Sequence, residues 1–221
     1  MTLIDERTKV FSDIGIGFQR EVILKTPPFT NWFKNEESKE RLDKILGRTM
    51  KDVKSYIKPR AVLRVLRREE TDIAAYAPPE ELLKSEFLAV GVVTIGEKTS
   101  GKLNADRLYE SLVIDALENV ALIEAERKVV MHLKEIADRE GLKTTRTIPP
   151  GSGRINWSTE NQEFIFKNLG AWRIGVVLNS SFVMLPKKSV SFVMGMGHDI
   201  EQAKDLFSCA GCKRLDCPYR V

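Results

Sequence analysis

Residues 173–197, RIGVVLNSSFVMLPKKSVSFVMGMG, contain two apolar runs rich in β-branched side chains, and residues 186–188 separate them. A connection of this length is typical of a β-hairpin, so residues 173–185 and 189–196 are predicted to pair as strands. In the second run, large apolar residues alternate with serine and glycine. One face of that strand therefore packs, whereas the other is small and partly polar, and a ligand can approach such a face closely.

Helix and strand patterns continue on both sides of this pair. The predicted elements are helices over residues 36–57, 104–140, 158–169 and 199–207, and strands over 61–67 and 87–95. Gly141 ends the long helix in the left-handed conformation that glycine favours. Thr159 with Gln162 has the spacing of a capping box, and Asp199 with Gln202 that of a helix start.

The long helix carries carboxylates in an apolar setting. Between Leu112 and Ala125 apolar residues surround its whole circumference, which predicts that protein encloses its middle. Asp115, Glu118 and Glu124 lie within that stretch. An unpaired buried charge costs several kcal/mol, so these carboxylates require either intramolecular salt bridges or a ligand. The sequence leaves both alternatives open.

Residues 150–154, Pro-Gly-Ser-Gly-Arg, form a loop whose glycine spacing differs from that of a dinucleotide-binding fingerprint. Its two glycines allow backbone N–H groups to face a ligand, and Arg146 and Arg154 offer planar cations for a carboxylate. A tight turn between a strand and a helix has the same composition. Local sequence therefore allows a ligand loop or a structural turn.

Composition excludes several classes of protein. The 221 residues carry a formal net charge of +4, from 35 basic and 31 acidic residues that are mostly interspersed, so no nucleic-acid footprint is expected. The apolar runs are too short for a membrane span, and the first residues lack a signal peptide, so we expect a soluble cytoplasmic protein. One basic patch is formed by Arg60, Arg64, Arg67 and Arg68. It is either a solvated face or a surface on which a partner docks.

Metal-ligating and nucleophilic residues are few. His132 and His198 are the only histidines, and no hydrolase pattern accompanies them. Cys209, Cys212 and Cys217 have C-x2-C-x4-C spacing, which brings three thiolates within reach of zinc or an iron–sulfur cluster but is one ligand short. His198, a second chain or an exogenous ligand would complete such a set. Reduced thiols in a capped tail are the alternative.

Residues 148–197 resemble the activation domain of cobalamin-dependent methionine synthase, and most closely its stand-alone versions. The resemblance rests on Pro150-Gly151-Ser152, Trp157, Gln162, Phe166, Leu169, Ile174-Gly175-Val176, and the run from Leu178 to Ser191 that contains Ser181, Met184, Pro186 and Ser189. Many such chains also finish with three cysteines and a run like Cys217-Pro218-Tyr219-Arg220. The resemblance implies one α+β domain over residues 1–221, with a curved, mainly antiparallel sheet flanked by helices, one of them long. Residues 208–221 form a three-cysteine tail.

The resemblance also implies a function in methionine biosynthesis. The chain would be an accessory subunit that binds S-adenosylmethionine and supports the reductive remethylation of cob(II)alamin. The cobalamin would be carried by a methionine synthase chain that lacks its own activation domain, and a flavodoxin-type protein would donate the electron. Arg146, or alternatively Arg154, would hold the ligand carboxylate. The other implied contacts are Pro150, Gly151, Ser152 and Gly153 in the loop, Ser181, Met184, Ser189 and Ser191 on the sheet side, and Glu118 and Glu124 at the cationic end.

Two other functions remain open at the level of sequence. The chain could be a redox activator of another corrinoid methyltransferase protein, with Cys209, Cys212 and Cys217 holding an iron–sulfur cluster or zinc. It could also be an interaction module that caps a corrinoid protein without binding S-adenosylmethionine. In the latter case the arginine patch at residues 60–68 would carry the association.

Overall fold

The structure is a computed structural model that describes residues 7–17, 23–24, 29–32, 35–96, 108–152 and 156–207. Its strands are β1 (Lys9–Phe11), β2 (Arg60–Arg67), β3 (Phe87–Thr94), β4 (Lys143–Thr144), β5 (Val177–Leu178), β6 (Met184–Leu185) and β7 (Ser189–Gly197). Its helices are α1 (Phe29–Trp32), α2 (Glu36–Tyr56), α3 (Glu80–Leu83), α4 (Leu108–Arg139) and α5 (Gln162–Asn168). Short 3₁₀ segments occupy Arg68–Glu70, Ile73–Tyr76, Thr159–Asn161 and Ala171–Ile174.

The main sheet has five strands in the order β1-β2-β3-β7-β4, and every pair within it is antiparallel. The central strand β3 is buried at every position, as expected of a strand covered on both faces. It pairs with β2 from Arg60–Thr94 to Arg67–Phe87, and with β7 along its whole length. A separate two-stranded sheet joins β5 and β6. The predicted α+β class with a mainly antiparallel sheet is confirmed.

Helices cover both faces of this sheet. On one face, Phe192 and Met194 of β7 pack in a cluster with Ala125 and Val129 of α4. On the other face, Val193 packs in a cluster formed with α5 and the 3₁₀ segments. Successive side chains of a strand point to opposite faces, so the alternation in β7 supplies both layers. A third cluster lies between α2 and α4.

The two long helices are confirmed nearly as predicted. Gly141 has a φ of +68°, and its N–H donates to the Asp138 carbonyl while Leu142 N–H donates to Ala137. These are the hydrogen bonds of a left-handed helix end. None of the helices in the described ranges is long and apolar enough to cross a membrane.

The predicted pairing of residues 173–185 with 189–196 is wrong. β5 pairs with β6 instead, whereas β7 pairs with β3 along its length and with β4 at Met196 and Gly197. The first run instead forms a 3₁₀ turn, ended by Gly175 at a φ of +75°, and the small β5–β6 hairpin. Asn179 Oδ1 accepts the N–H groups of Ser181 and Val183 and closes the hairpin turn.

One further helix prediction is wrong, and the helix predicted over residues 158–169 is confirmed without its predicted capping box. Residues 199–207 form no helix, because they run along the sheet edge, where Ala203 N–H donates to the Thr144 carbonyl. The shorter helix begins with the 3₁₀ turn Thr159–Asn161, and its cap Ser158 makes no side-chain capping hydrogen bond. Tertiary contacts outweigh the local capping pattern in both places.

The middle of α4 is not enclosed on all sides. Leu112 and Ile123 are 46% and 45% exposed, and they lie three turns apart on one helix face. Asp115, on nearly the same face, is exposed as well. Of the three predicted carboxylates, Glu118 is buried and Glu124 half-buried.

Candidate functional site

A β-bulge on the edge of the main sheet positions Arg146. Thr144 lies opposite Met196 and Ile148 opposite Val193, so the β4 edge carries one residue more than β7 between these two pairs. The Thr145 N–H donates to the Gly195 carbonyl at 2.9 Å. The Gly195 N–H donates to the Thr145 hydroxyl oxygen, also at 2.9 Å, so this side chain takes the place of a backbone acceptor. Bulges re-aim side chains next to them. Here Arg146 leaves the ladder and lines a cleft.

The cleft beside Arg146 is open to solvent. Its lining residues are Pro79, Glu80, Glu81, Lys84, Thr145, Arg146, Asp199, Ile200 and Glu201. Arg146 Nε lies 3.8 Å from Glu81 Oε1, and Lys84 Nζ lies 2.8 Å from Glu80 Oε1. The hydrogen bond from Lys84 holds the pKa of Glu80 below its usual value. The lining thus has more carboxylates than cations, which favours a ligand with net positive charge that also presents an anionic group to Arg146.

A fixed turn follows the bulge along the chain. Gly151 has a φ of +74°, and its N–H donates to the Trp157 carbonyl at 2.8 Å. A Cβ at this position would lie 2.3 Å from Thr159 Oγ1, so the turn packs closely on the segment before α5. Pro150 is buried, and the Ser152 hydroxyl oxygen is buried without a hydrogen-bond partner among the described residues. Gly153 and Arg154 lie outside the described residues.

A buried hydrogen-bond chain ties the β5–β6 hairpin to the sheet. Ser191 Oγ donates to Gln162 Oε1 at 3.3 Å, and Gln162 Nε2 donates to the Phe182 carbonyl at 2.9 Å. Met184 is half-buried against the cluster that contains Trp157. Ser181 is exposed at the hairpin turn.

Ser189, at the start of β7, is engaged within the chain. Its hydroxyl donates to the Pro186 carbonyl at 2.7 Å and lies 2.9 Å from Thr94 Oγ1. Arg146 lies beside Gly195, six residues further along β7, which corresponds to about 20 Å at ~3.3 Å per residue. The structure therefore does not bring Ser189 and Arg146 into one compact site.

The two glutamates predicted at the cationic end already have partners. Tyr56 OH donates to Glu118 Oε1 at 2.5 Å, and Lys188 Nζ lies 4.0 Å from Glu118 Oε2. Burial, followed by this hydrogen bond, raises the pKa of the Tyr56 hydroxyl well above its usual value. Glu124 Oε1 accepts the Gly17 N–H at 3.1 Å. Neither glutamate lines the Arg146 cleft.

The residues that the sequence analysis missed are the acids of the cleft. Glu81 follows Glu80 in the first turn of α3, where acids are ordinary helix-start residues. Asp199 was predicted as a helix cap. Only the fold places Glu81 and Asp199 beside Arg146, since the three come from separate parts of the chain.

The predicted metal ligands Cys209, Cys212 and Cys217 lie outside the described residues. Within the described ranges, no group of three or more His, Cys, Asp or Glu side chains could hold a metal ion. His198 was predicted as a possible fourth ligand, and its Nδ1 lies 2.9 Å from Glu86 Oε1, within hydrogen-bond distance.

The predicted arginine patch is largely engaged within the chain. Arg64 Nη1 donates to the Asn168 carbonyl, and Arg68 Nε donates to the Ser85 carbonyl. Arg67 lies over the Phe87 ring at 5.5 Å.

Comparison with known proteins gives one finding of similarity. No family model and no curated protein matches the chain. Among solved structures, the chain is similar to a crystal structure described as the MetH reactivation domain bound to AdoHcy. The two share 17% sequence identity with a TM-score of 0.47, over 88% of this chain and 80% of that chain. At this level of similarity the role of each side chain has to be judged from its own surroundings.

Proposed function

We propose that this chain, as one activation-like domain, binds S-adenosylmethionine in the Arg146 cleft and supports the reactivation of a cobalamin-dependent methionine synthase. The main supporting observation is that the bulge directs Arg146 toward an acid-rich cleft. Arg146 lies shortly before the Pro-Gly-Ser turn at residues 150–152. That turn belongs to the sequence run that resembles the activation domain. Position, charge and motif therefore support the same ligand.

The ligand's charges fit those of the cleft. S-adenosylmethionine carries a carboxylate, an ammonium and a sulfonium, so its net charge is positive. Arg146 would hold the carboxylate, since a guanidinium presents two parallel donors to it. Glu81 and Asp199 would face the cationic groups, and at ~4 Å such a pair is worth about 1–4 kcal/mol between the limits of water and a protein surface. Glu118 and Glu124 are weaker candidates because Tyr56 and Gly17 already occupy oxygens of these carboxylates.

The turn after Arg146 would hold the rest of the ligand. Ser152 supplies a buried hydroxyl without a partner among the described residues, and a buried hydroxyl of this kind is stabilised by a ligand atom that hydrogen-bonds to it. Ser191 and Gln162 would act indirectly, because their hydrogen bonds hold the hairpin that carries Ser181 and Met184.

The cobalt chemistry belongs to the partner. The partner's cobalamin would supply the methyl acceptor, a flavodoxin-type protein would donate the electron that its reduction requires, and S-adenosylhomocysteine would remain after methyl transfer. This chain binds and orients the methyl donor.

Calorimetric titration of S-adenosylmethionine into the full chain tests the ligand site. We expect saturable binding, and an affinity lower by about 10- to 100-fold in Arg146→Ala, because a charge-assisted hydrogen bond contributes about 1.5–3 kcal/mol. Arg139→Ala is the matched control, since Arg139 is exposed at the end of α4. Equal affinities in Arg146→Ala and the wild type, or no binding at millimolar ligand, would refute the site.

An assay with the partner tests the reactivation itself. A methionine synthase chain loaded with cob(II)alamin and lacking an activation domain should recover activity only when this chain, S-adenosylmethionine and a reductant are all present. Recovery that does not require S-adenosylmethionine would contradict the proposal.

The alternative function rests on the C-x2-C-x4-C spacing of Cys209, Cys212 and Cys217. An iron–sulfur or zinc-bound tail would make the chain a redox activator of another corrinoid protein. Iron and zinc analysis of anaerobically purified protein separates the two functions, since stoichiometric iron with no affinity for S-adenosylmethionine would favour the alternative.

A further inference from the structure

The side chain of Thr145 completes the bulge from which Arg146 projects. Thr145 is buried, and its hydroxyl oxygen accepts the Gly195 N–H at 2.9 Å. The same hydroxyl donates to the Arg146 carbonyl at 2.8 Å. It can do both because a hydroxyl has one hydrogen and two lone pairs. One side chain therefore joins β7 to the backbone of Arg146 itself.

This arrangement replaces part of a regular strand ladder. In a regular antiparallel sheet, two residues that form a hydrogen-bonded pair exchange both N–H···O bonds through the backbone. Thr145 and Gly195 exchange one bond through the backbone and the other through the threonine hydroxyl. The backbone of Thr145 can therefore turn away from β7 at the point where Arg146 begins, and no N–H of Gly195 is left unsatisfied.

The acid on the other side of the cleft is held at the same point of the sheet. Ser85 is only 1% exposed, and its Oγ donates to the Glu81 carbonyl at 2.8 Å. Ser85 occupies the space that a side chain at Gly195 would fill. A Cβ there would lie 2.1 Å from Ser85 Oγ and 3.1 Å from Thr145 Cγ2. The backbone segments that carry Arg146 and Glu81 thus meet at Gly195.

The ion pair across the cleft does not set this geometry by itself. Arg146 Nε lies 3.8 Å from Glu81 Oε1, and the two side chains are 35% and 40% exposed. An ion pair with this exposure holds its partners weakly, because water screens it and two long side chains must be ordered to form it. The buried contacts of Thr145 and Ser85 beneath the pair therefore decide where the two charges lie.

We infer that Thr145 is a positioning residue of the ligand site and that it acts through Arg146. Its hydroxyl fixes the Arg146 carbonyl, and with it the direction in which the guanidinium leaves the sheet edge. The inference rests on the proposed function for the identity of the ligand. A binding group that is already in place before the ligand arrives loses less conformational entropy on binding, so its support contributes to affinity.

Calorimetric titration of S-adenosylmethionine into the full chain tests this role. Thr145→Val keeps the shape of the side chain but lacks the hydroxyl, and we expect its affinity to fall about tenfold. Thr145→Ser restores the hydroxyl and should bind within about threefold of the wild type. If Thr145→Val does not fold, Thr145→Ala removes the same hydroxyl without placing a methyl group against the Gly195 N–H.

Thr49→Val is the matched control. Thr49 is a buried threonine of α2 whose hydroxyl donates to the Ile45 carbonyl at 2.9 Å and to the Leu46 carbonyl at 3.1 Å. It does not line the cleft. Its substitution should lower the urea midpoint but leave the affinity for S-adenosylmethionine within about twofold of the wild type. A tenfold loss of affinity in Thr49→Val would assign the effect of Thr145→Val to stability and overturn the positioning role.

A double-mutant cycle shows whether Thr145 acts through Arg146. In an Arg146→Ala background there is no guanidinium to misplace, so Thr145→Val should change the affinity by less than about twofold. The same tenfold loss in both backgrounds would show that Thr145 does not act through Arg146. That result, or equal affinities of Thr145→Val and the wild type, would overturn the inference.

A measurement without ligand separates this inference from the proposed function. The ¹H–¹⁵N NOE at Arg146 Nε reports how well the side chain is ordered, and its signal is assigned by its absence in Arg146→Ala. The NOE should fall in Thr145→Val and stay unchanged in Thr49→Val. An unchanged NOE in Thr145→Val overturns the positioning role, whatever the affinities. If the wild type does not bind S-adenosylmethionine, the proposed function is refuted, and the NOE alone decides the role of Thr145.

Discussion

Gly151→Ala should destabilise the protein by about 2 kcal/mol, through two separable effects. A left-handed φ of +74° costs a residue with a Cβ about 1–2 kcal/mol. The new Cβ would also lie 2.3 Å from Thr159 Oγ1 and 3.1 Å from Thr159 Cβ. Thr159 is exposed, so its hydroxyl can rotate away, and the remaining contact costs about 1 kcal/mol. Alanine recovers ~0.4–1 kcal/mol by restricting the unfolded chain.

Urea denaturation at constant m-value measures this loss, and the thermal midpoint should fall by about 4–8 °C for a chain of this size. The double variant Gly151→Ala/Thr159→Ala removes the hydroxyl and γ-methyl of Thr159 but keeps its Cβ, so it should recover less than about 1 kcal/mol. Complete recovery would show that the contact, and not the backbone, is the cause. A loss below ~0.5 kcal/mol would refute a fixed turn at residues 149–152.

Two further substitutions test the packing around the site. Tyr56→Phe leaves the buried Glu118 carboxylate without its donor and should cost about 1–3 kcal/mol in urea denaturation at pH 7. Because the pKa of Tyr56 is raised in the folded state, its phenol ionises first in the unfolded chain. The wild type should therefore lose stability above pH ~10 more steeply than Tyr56→Phe, and parallel pH profiles would contradict this. Gly195→Ala places a Cβ 2.1 Å from Ser85 Oγ and should lower the free energy of unfolding by about 1–3 kcal/mol. Adding Ser85→Ala should recover part of this loss. An unchanged denaturation midpoint in Gly195→Ala would refute the close contact.

The parts of the fold that the sequence predicts well are those with local determinants. The long helix ends where Gly141 takes a left-handed φ, and both the glycine and the preceding apolar periodicity are visible in the sequence. β3 is likewise a continuous apolar run bounded by a loop. In both cases the residues that decide the element are within it or next to it.

The parts that the sequence predicts poorly depend on distant contacts. Residues 173–185 read as one strand, yet they form a 3₁₀ turn and the β5–β6 hairpin, which Gln162 of α5 holds through the Phe182 carbonyl. The small face of β7 was predicted to admit a ligand, but Ser85 occupies the space in front of Gly195. Neither Gln162 nor Ser85 lies in the run of residues from which these features were predicted.

The candidate site shows the same division. Arg146 and the Gly151 turn are neighbours in sequence and were predicted together. Glu81 and Asp199 reach Arg146 only because α3 and the end of β7 meet at the β4 edge. Local sequence identifies the loop, whereas the acids that set its charge come from contacts more than 40 residues away along the chain.

Charge distribution, rather than net charge, governs what this chain can bind. A net charge of +4 on 221 residues selects no partner by itself. The cleft beside Arg146 has an excess of carboxylates, whereas residues 164–198 have none. A cationic ligand is therefore drawn to the cleft.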